Sequence, residues 1–261
     1  MKKTVGIGLL VLGSLFFLGR KRPGGAAAVG PSASERESAY GGRAVSRDAF
    51  REGLRQVALK DPQIERALAF RDAWTEEGVP FLMQLALIAN SIEESGIRLS
   101  VRSAVGLRDD EKGGSWTAFQ ILQPSVRSVA RELGLDFSDV VPDSEPTGES
   151  LRRFAGNQAR VAYFIATNPR YMRLAWDDSD PDMSAFDLFT RWAAGPAWPA
   201  SRVLSTDTAR SILGGRLPSQ GTILAAVSAL RAAGATIAPG ALEKLNHFRV
   251  LRDAMRQVGV A

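Results

Sequence analysis

The stretch Phe81-Leu82-Met83-Gln84-Leu85-Ala86-Leu87-Ile88-Ala89-Asn90-Ser91-Ile92-Glu93-Glu94-Ser95-Gly96 decides how this chain is read. Leu82, Leu85, Ile88, Ala89 and Ile92 recur at three- and four-residue intervals, the spacing that lines one face of an α-helix. Val79-Pro80 breaks whatever precedes it. The spacing predicts a buried helix over 81–95 that ends in two acids.

Working outward, Ser46 to Lys60 and Pro62 to Glu77 read as helices, the second with proline in its first turn. After the central helix, Val101 to Gly114 is charged and glycine-containing. Ser115 to Leu122 is β-prone, so a loop or small hairpin is expected there. Ser125 is placed to cap a helix over Val126 to Leu133, and Gly134 to end it. A polar loop runs through Thr147. Helical spacing returns over Glu149 to Thr167 and Ser184 to Ala194, where Pro196 and Pro199 stop it. Residues 205–261 add two or three helices, split by Gly214-Gly215 and Pro239-Gly240. Ile223, Leu224, Val227 and Leu230 form an apolar stripe there that suits completion of the core. No internal repeat is visible. The fold class is mainly α with a small β-hairpin.

The 261 residues are 45% apolar and 23% charged, which suits a globular body able to bury a core. Residues 1–25 hold Lys2, Lys3, Arg20, Lys21 and Arg22 and no acid, so the remaining chain carries 28 basic and 28 acidic residues. The basic excess therefore flanks an apolar run, and nucleic acid is disfavoured as a partner. Arg98, Arg102 and Arg108 read as a solvated face or a local contact to an anionic polymer. Thr4 to Gly19 is uncharged for 16 residues, roughly 24 Å if helical against about 30 Å of bilayer hydrocarbon. Arg20-Lys21-Arg22 opposes translocation as a cleaved leader, so an uncleaved membrane helix with snorkelling basic ends is expected. Its flanks leave orientation open. The expected organisation is a membrane anchor or uncleaved signal at 1–22 and a flexible Gly/Ala/Ser/Pro linker at 23–45. A folded domain at 46–203 and a helical extension at 204–261 follow.

No cysteine is present, which excludes disulfides, thiolate zinc sites and a cysteine nucleophile. The single histidine, His247, reads as a surface or interhelix residue and gives a Ser-His-Asp triad or a multi-histidine metal site little to work with. No metal and no cofactor is expected. A carboxylic acid can donate a proton to a poor leaving group while it is still protonated. A glutamate emerging from so apolar a helix is partly desolvated, which favours the neutral acid. Glu93 and Glu94 point about 100° apart, and sequence alone does not say which faces a cleft.

Glu94-Ser95-Gly96 at a helix end, then Gly113-Gly114-Ser115, then Phe119-Gln120-Ile121, and later Trp192-Ala193-Ala194-Gly195-Pro196, make an ordered set. Over about residues 80–200 this set resembles the lysozyme-like lytic transglycosylases and related phage endolysins. The resemblance implies that 46–203 is a catalytic domain, an α+β lysozyme-like bundle around a cleft. It also implies a peptidoglycan glycan strand as partner and cleavage of the β-1,4 bond between N-acetylmuramic acid and N-acetylglucosamine. It favours Glu94 as the catalytic acid, with Ser95, Ser115, Phe119, Gln120 and Trp192 on the substrate side. Ser115 and Gln120 would orient the glutamate and bind the N-acetyl sugar, and Trp116, Trp192 and Trp198 offer faces for stacking on sugars. In the transglycosylase version one acid suffices. A hydrolytic lysozyme would want a second carboxylate, for which Asp109, Asp110 and Glu111 are available. The set departs from the family at Ala118, where a glycine is usual, in an extra residue between Gln120 and Pro124, and at Trp192, where a tyrosine hydroxyl would meet the catalytic carboxyl. These departures keep open a non-catalytic, membrane-anchored glycan-binding or virion structural protein. The expected location is the cell envelope, facing peptidoglycan, or a phage virion membrane.

Overall fold

Every residue from Phe81 to Ser91 is buried, so the helix that the sequence singles out sits at the centre of the protein and not on its rim. The computed structural model describes residues 39–40, 43–44, 46–103, 114–194 and 240–258. In chain order the elements are β1 (Ala39–Tyr40), β2 (Arg43–Ala44), α1 (Arg47–Gln56), α2 (Asp61–Glu76), α3 (Phe81–Ser95), β3 (Arg102–Ser103), β4 (Ser115–Trp116), β5 (Ile121–Leu122), α4 (Gln123–Glu132), α5 (Phe137–Val140), α6 (Gly148–Thr167), α7 (Pro181–Ala194) and α8 (Ala241–Gln257). The protein is mainly helical, with two small antiparallel sheets, β1-β2 and β3-β4-β5.

Helix α3 starts directly after Pro80 and stops where sequence says it must. Gly96 takes a left-handed conformation at φ 65°. There Gly96 N–H bonds Ile92 O at 2.8 Å and Ile97 N–H bonds Ser91 O at 3.1 Å, which satisfies the last carbonyls of the helix. Phe81, Leu82, Met83, Leu85, Leu87 and Ile88 are all buried in it, each worth about 1.5–3 kcal/mol of transfer free energy. Helices α2, α7 and α8 pack around it.

Two other joints place the site. Helices α2 and α6 lie against each other with Gly156 facing Ala73, and Trp74 Nε1 donates to Ala159 O at 2.8 Å. Helix α8 crosses α1, α3 and α7. Met255 fills the space that the missing side chain of Gly53 leaves on α1, and Asp182 at the start of α7 accepts from both Arg249 and Arg252. The stretch read as a helical extension thus contributes a helix to the core around α3.

Several boundaries differ from the sequence reading. Helix α4 begins at Gln123 with Pro124 in its first turn, so Ser125 lies within that turn and does not cap it. Phe137–Val140 adds a helical turn inside the expected polar loop. Ala39–Tyr40 pairs with Arg43–Ala44 inside the expected linker. In sequence the Gly41-Gly42 between them is the residue pair that two-residue hairpin loops favour. The Thr4–Gly19 run, the Ile223–Leu230 stripe, Arg108, Asp109, Asp110, Glu111 and Trp198 lie outside the described residues. Among the described residues no helix is long and apolar enough to cross a membrane.

Candidate active site

The last turn of α3 carries its two acids toward α8. Glu93 Oε1 lies 2.7 Å from His247 Nδ1, with side-chain exposures of 31% and 39%. Glu94 Oε1 accepts a hydrogen bond from Lys244 Nζ. This second pair is drier, at 23% exposure for Glu94 and 4% for Lys244.

Ser95, one residue further, turns elsewhere. Its Oγ donates to Ala118 O at 2.8 Å, with Ser91 O at 3.2 Å as a second acceptor, and it accepts from Arg98 N at 3.1 Å. Ser95 therefore fastens the end of α3 to the turn over 117–120 that joins β4 to β5. Gln158 of α6 grips the same turn from beyond. It is fully buried, accepts from Ala118 N at 2.9 Å, and donates to Leu99 O and Val140 O, each at 2.9 Å. The peptide groups of Ala118 are thus held at both ends.

Within this clamp Thr117 and Gln120 adopt φ of 75° and 49°, conformations that cost a non-glycine residue about 1–3 kcal/mol each. Ala118 does not share them. An alanine here, where the family that the sequence resembles has glycine, therefore carries no backbone penalty in this turn.

Phe119 has no exposed surface. Its ring packs between Phe70 at 5.1 Å, Trp192 at 6.0 Å and Trp74 at 6.1 Å, so the side chain is core and does not face a sugar. Trp192, 8% exposed, gives its Nε1–H to Phe119 O at 3.0 Å. An indole has one donor, and that bond uses it; the partner of the Glu94 carboxylate is Lys244, not residue 192. Gln120 is half-buried and donates to Thr117 O at 3.1 Å. With Leu122, Tyr171, Met172 and Trp192 it lines a cavity of about 80 Å³, well below the ~300–1,000 Å³ of typical ligand sites. Ser115 is half-buried on β4 opposite Leu122 and Ser103. Trp116 packs on Phe137 at 5.4 Å and beneath Arg102 at 4.6 Å. A larger groove of about 670 Å³ between α2 and α6 is lined by Arg47, Asp72, Glu76, Arg152 and Arg160 among others. Glu94 lines neither cavity.

The structure thus gathers Ser95, Phe119, Gln120 and Trp192 around the hairpin turn, and sets Glu94 on an adjoining face with Lys244. Sequence reasoning missed Lys244 and Gln158. A signal for the first existed: Lys244 sits in register with Phe248, Leu251 and Met255 at helical spacing, a charge on an otherwise apolar stripe.

Fold and site together define a mainly helical protein in which the most buried of the described helices carries a lysine-paired glutamate, followed by a serine bonded to the turn of a small antiparallel sheet. No family model, curated protein or solved structure matches the chain.

Proposed function

We propose that the chain is a lysozyme-like lytic transglycosylase, held at a membrane by residues 1–22, that cleaves the β-1,4 MurNAc–GlcNAc bond of peptidoglycan. The observation that carries the reading is Glu94. It is the drier of two acids at the end of the most apolar of the described helices, and its neighbour Ser95 is bonded to the hairpin turn that holds Gln120. In the cleavage step Glu94 in its acid form gives its proton to the glycosidic oxygen as the C1–O4 bond breaks. The resulting carboxylate takes the proton of the sugar's own C6 hydroxyl. O6 closes on C1 and leaves a 1,6-anhydro end, with no second carboxylate required. The envelope face or a virion membrane is the proposed location.

Mass analysis of the muropeptides that the full-length protein releases from purified sacculi tests this directly. Anhydro ends are expected. Products heavier by one water assign a hydrolytic lysozyme on the same bond. A second reading, a non-catalytic glycan-binding protein, draws on the ion pair that occupies Glu94 and on the use of the Trp192 N–H elsewhere. Glycan binding without any released muropeptide favours it.

A further inference from the structure

Lys244 is a charged side chain at a core position. It lies on the apolar stripe of α8, is 3% exposed, and has Glu94 as its one partner among the described residues. An ion pair this dry is a weak source of stability, because desolvating two charges offsets most of their attraction. A second observation marks the same interface. Asn90 stands one helical turn before Glu94, and at about 100° per residue its azimuth falls between those of Glu93 and Glu94. Both of those face α8. Asn90 is fully buried, yet among the described residues neither its Oδ1 nor its Nδ2 has a partner. The α3–α8 contact thus carries more polar capacity than its packing uses, and buried groups of that kind call for an explanation.

Cleavage supplies one. An acid catalyst must hold a proton, whereas a carboxylate paired with an ammonium has its proton on the nitrogen. The two groups together carry one transferable proton, in either of two arrangements: ammonium with carboxylate, or amine with carboxylic acid. Lysine can take the amine form when buried, and arginine cannot.

We propose that Lys244 is the proton reservoir of Glu94 in the cleavage proposed above. The inference rests on that reading. Nζ passes one proton to the carboxylate and becomes a neutral amine, and the carboxylic acid passes a proton to the glycosidic oxygen as C1–O4 breaks. When O6 attacks C1, the carboxylate takes the C6 hydroxyl proton and returns one to Nζ. The ammonium–carboxylate pair is restored, and no other reactant enters. Lys244 touches the acid and not the sugar, so it is a positioning and proton-holding residue. Among the described residues, charged groups next to α3 and on the helices packed against it are engaged as well. Glu93 and His247 pair with each other, and Asp187 of α7 pairs with Arg191. Arg98 donates to Ser95 O, and Arg66 of α2 to Ile97 O.

The test is the pH profile of kcat on purified sacculi for the full-length protein and for Lys244→Arg, Lys244→Met and Glu94→Gln. Arginine preserves the ion pair but keeps its proton, so Lys244→Arg is expected to lose at least about 100-fold in kcat, the scale of a lost general acid, at every pH. In Lys244→Met the acid stands alone and the alkaline limb moves to lower pH. If lysine only anchors the side chain by charge, the opposite follows: Lys244→Arg keeps its rate, and the alkaline limb of Lys244→Met stays or moves to higher pH. Either result, with Glu94→Gln inactive, overturns this proposal and leaves the role of Glu94 standing. An active Glu94→Gln protein overturns both.

Discussion

Gln158→Met is the sharpest test of how the site is held. Methionine keeps the unbranched shape and length of glutamine and so leaves little cavity. It removes the acceptor for Ala118 N and the donors to Leu99 O and Val140 O. At ~1 kcal/mol net per hydrogen bond, three bonds set a floor of ~3 kcal/mol. All three lie where water cannot replace them, and the cost of leaving a buried polar group unpaired carries the total toward ~5 kcal/mol. For a folded unit of this size each kcal/mol lowers Tm by about 2–4 °C. The expected fall is therefore of order 6–20 °C, with the urea midpoint moving and the slope unchanged. The hairpin turn loses its far anchor in the same variant, so cleavage of sacculi drops below what stability alone accounts for at a temperature where the variant stays folded. A Gln158→Met protein within 1 kcal/mol of wild type in urea, with full activity, refutes the claim that this side chain sets the turn.

Three further outcomes follow from named contacts. Ser95→Ala removes the bonds to Ala118 O and from Arg98 N; a loss of about 1–3 kcal/mol is expected, read by urea unfolding, and a change below half a kcal/mol contradicts the fastening role. A Cβ on Gly53 would lie 2.5 Å from Met255 Sδ, so Gly53→Val should overpack the α1–α8 contact and cost about 1–3 kcal/mol, whereas a neutral or stabilised variant in a thermal melt counts against that packing. Asp182→Asn leaves Arg249 and Arg252, both partly buried, without their shared carboxylate. The Asp182 carboxylate keeps 26% exposure, so about 1–2 kcal/mol is expected, and a double-mutant cycle with Arg252→Met giving no coupling would rule it out.

The central helix was legible because its evidence is local. Apolar spacing, Pro80 before it and Gly96 after it define the observed bounds Phe81–Ser95. The hairpin was legible for the same reason, through the β-prone run at 115–122. What sequence could not supply were pairings between distant residues. Glu94 and Lys244 are 150 positions apart, and periodicity says which way a side chain faces on its own helix but not which helix it meets. The same limit hid Gln158, whose amide reads as an ordinary polar residue until Ala118, Leu99 and Val140 converge on it. Phe119 shows a related limit. A motif places an aromatic next to the site, while the three-dimensional path of the turn decides that it points into the core. At Trp192 the resemblance supplied a role that indole chemistry redirects to the Phe119 carbonyl. Helix α4 began early because Pro124 suits the first turn of a helix, a stronger start signal than the Ser125 hydroxyl.

If the Glu94 carboxyl transfers the proton in the proposed glycan cleavage, the adjacent acid supplies the control. Glu94→Gln and Glu93→Gln proteins, each checked for an unchanged melting profile and for retention on sacculi, are compared for release of soluble muropeptides. Release is expected to vanish for Glu94→Gln, with binding kept, and to persist for Glu93→Gln; turnover by Glu94→Gln at the wild-type rate contradicts the claim.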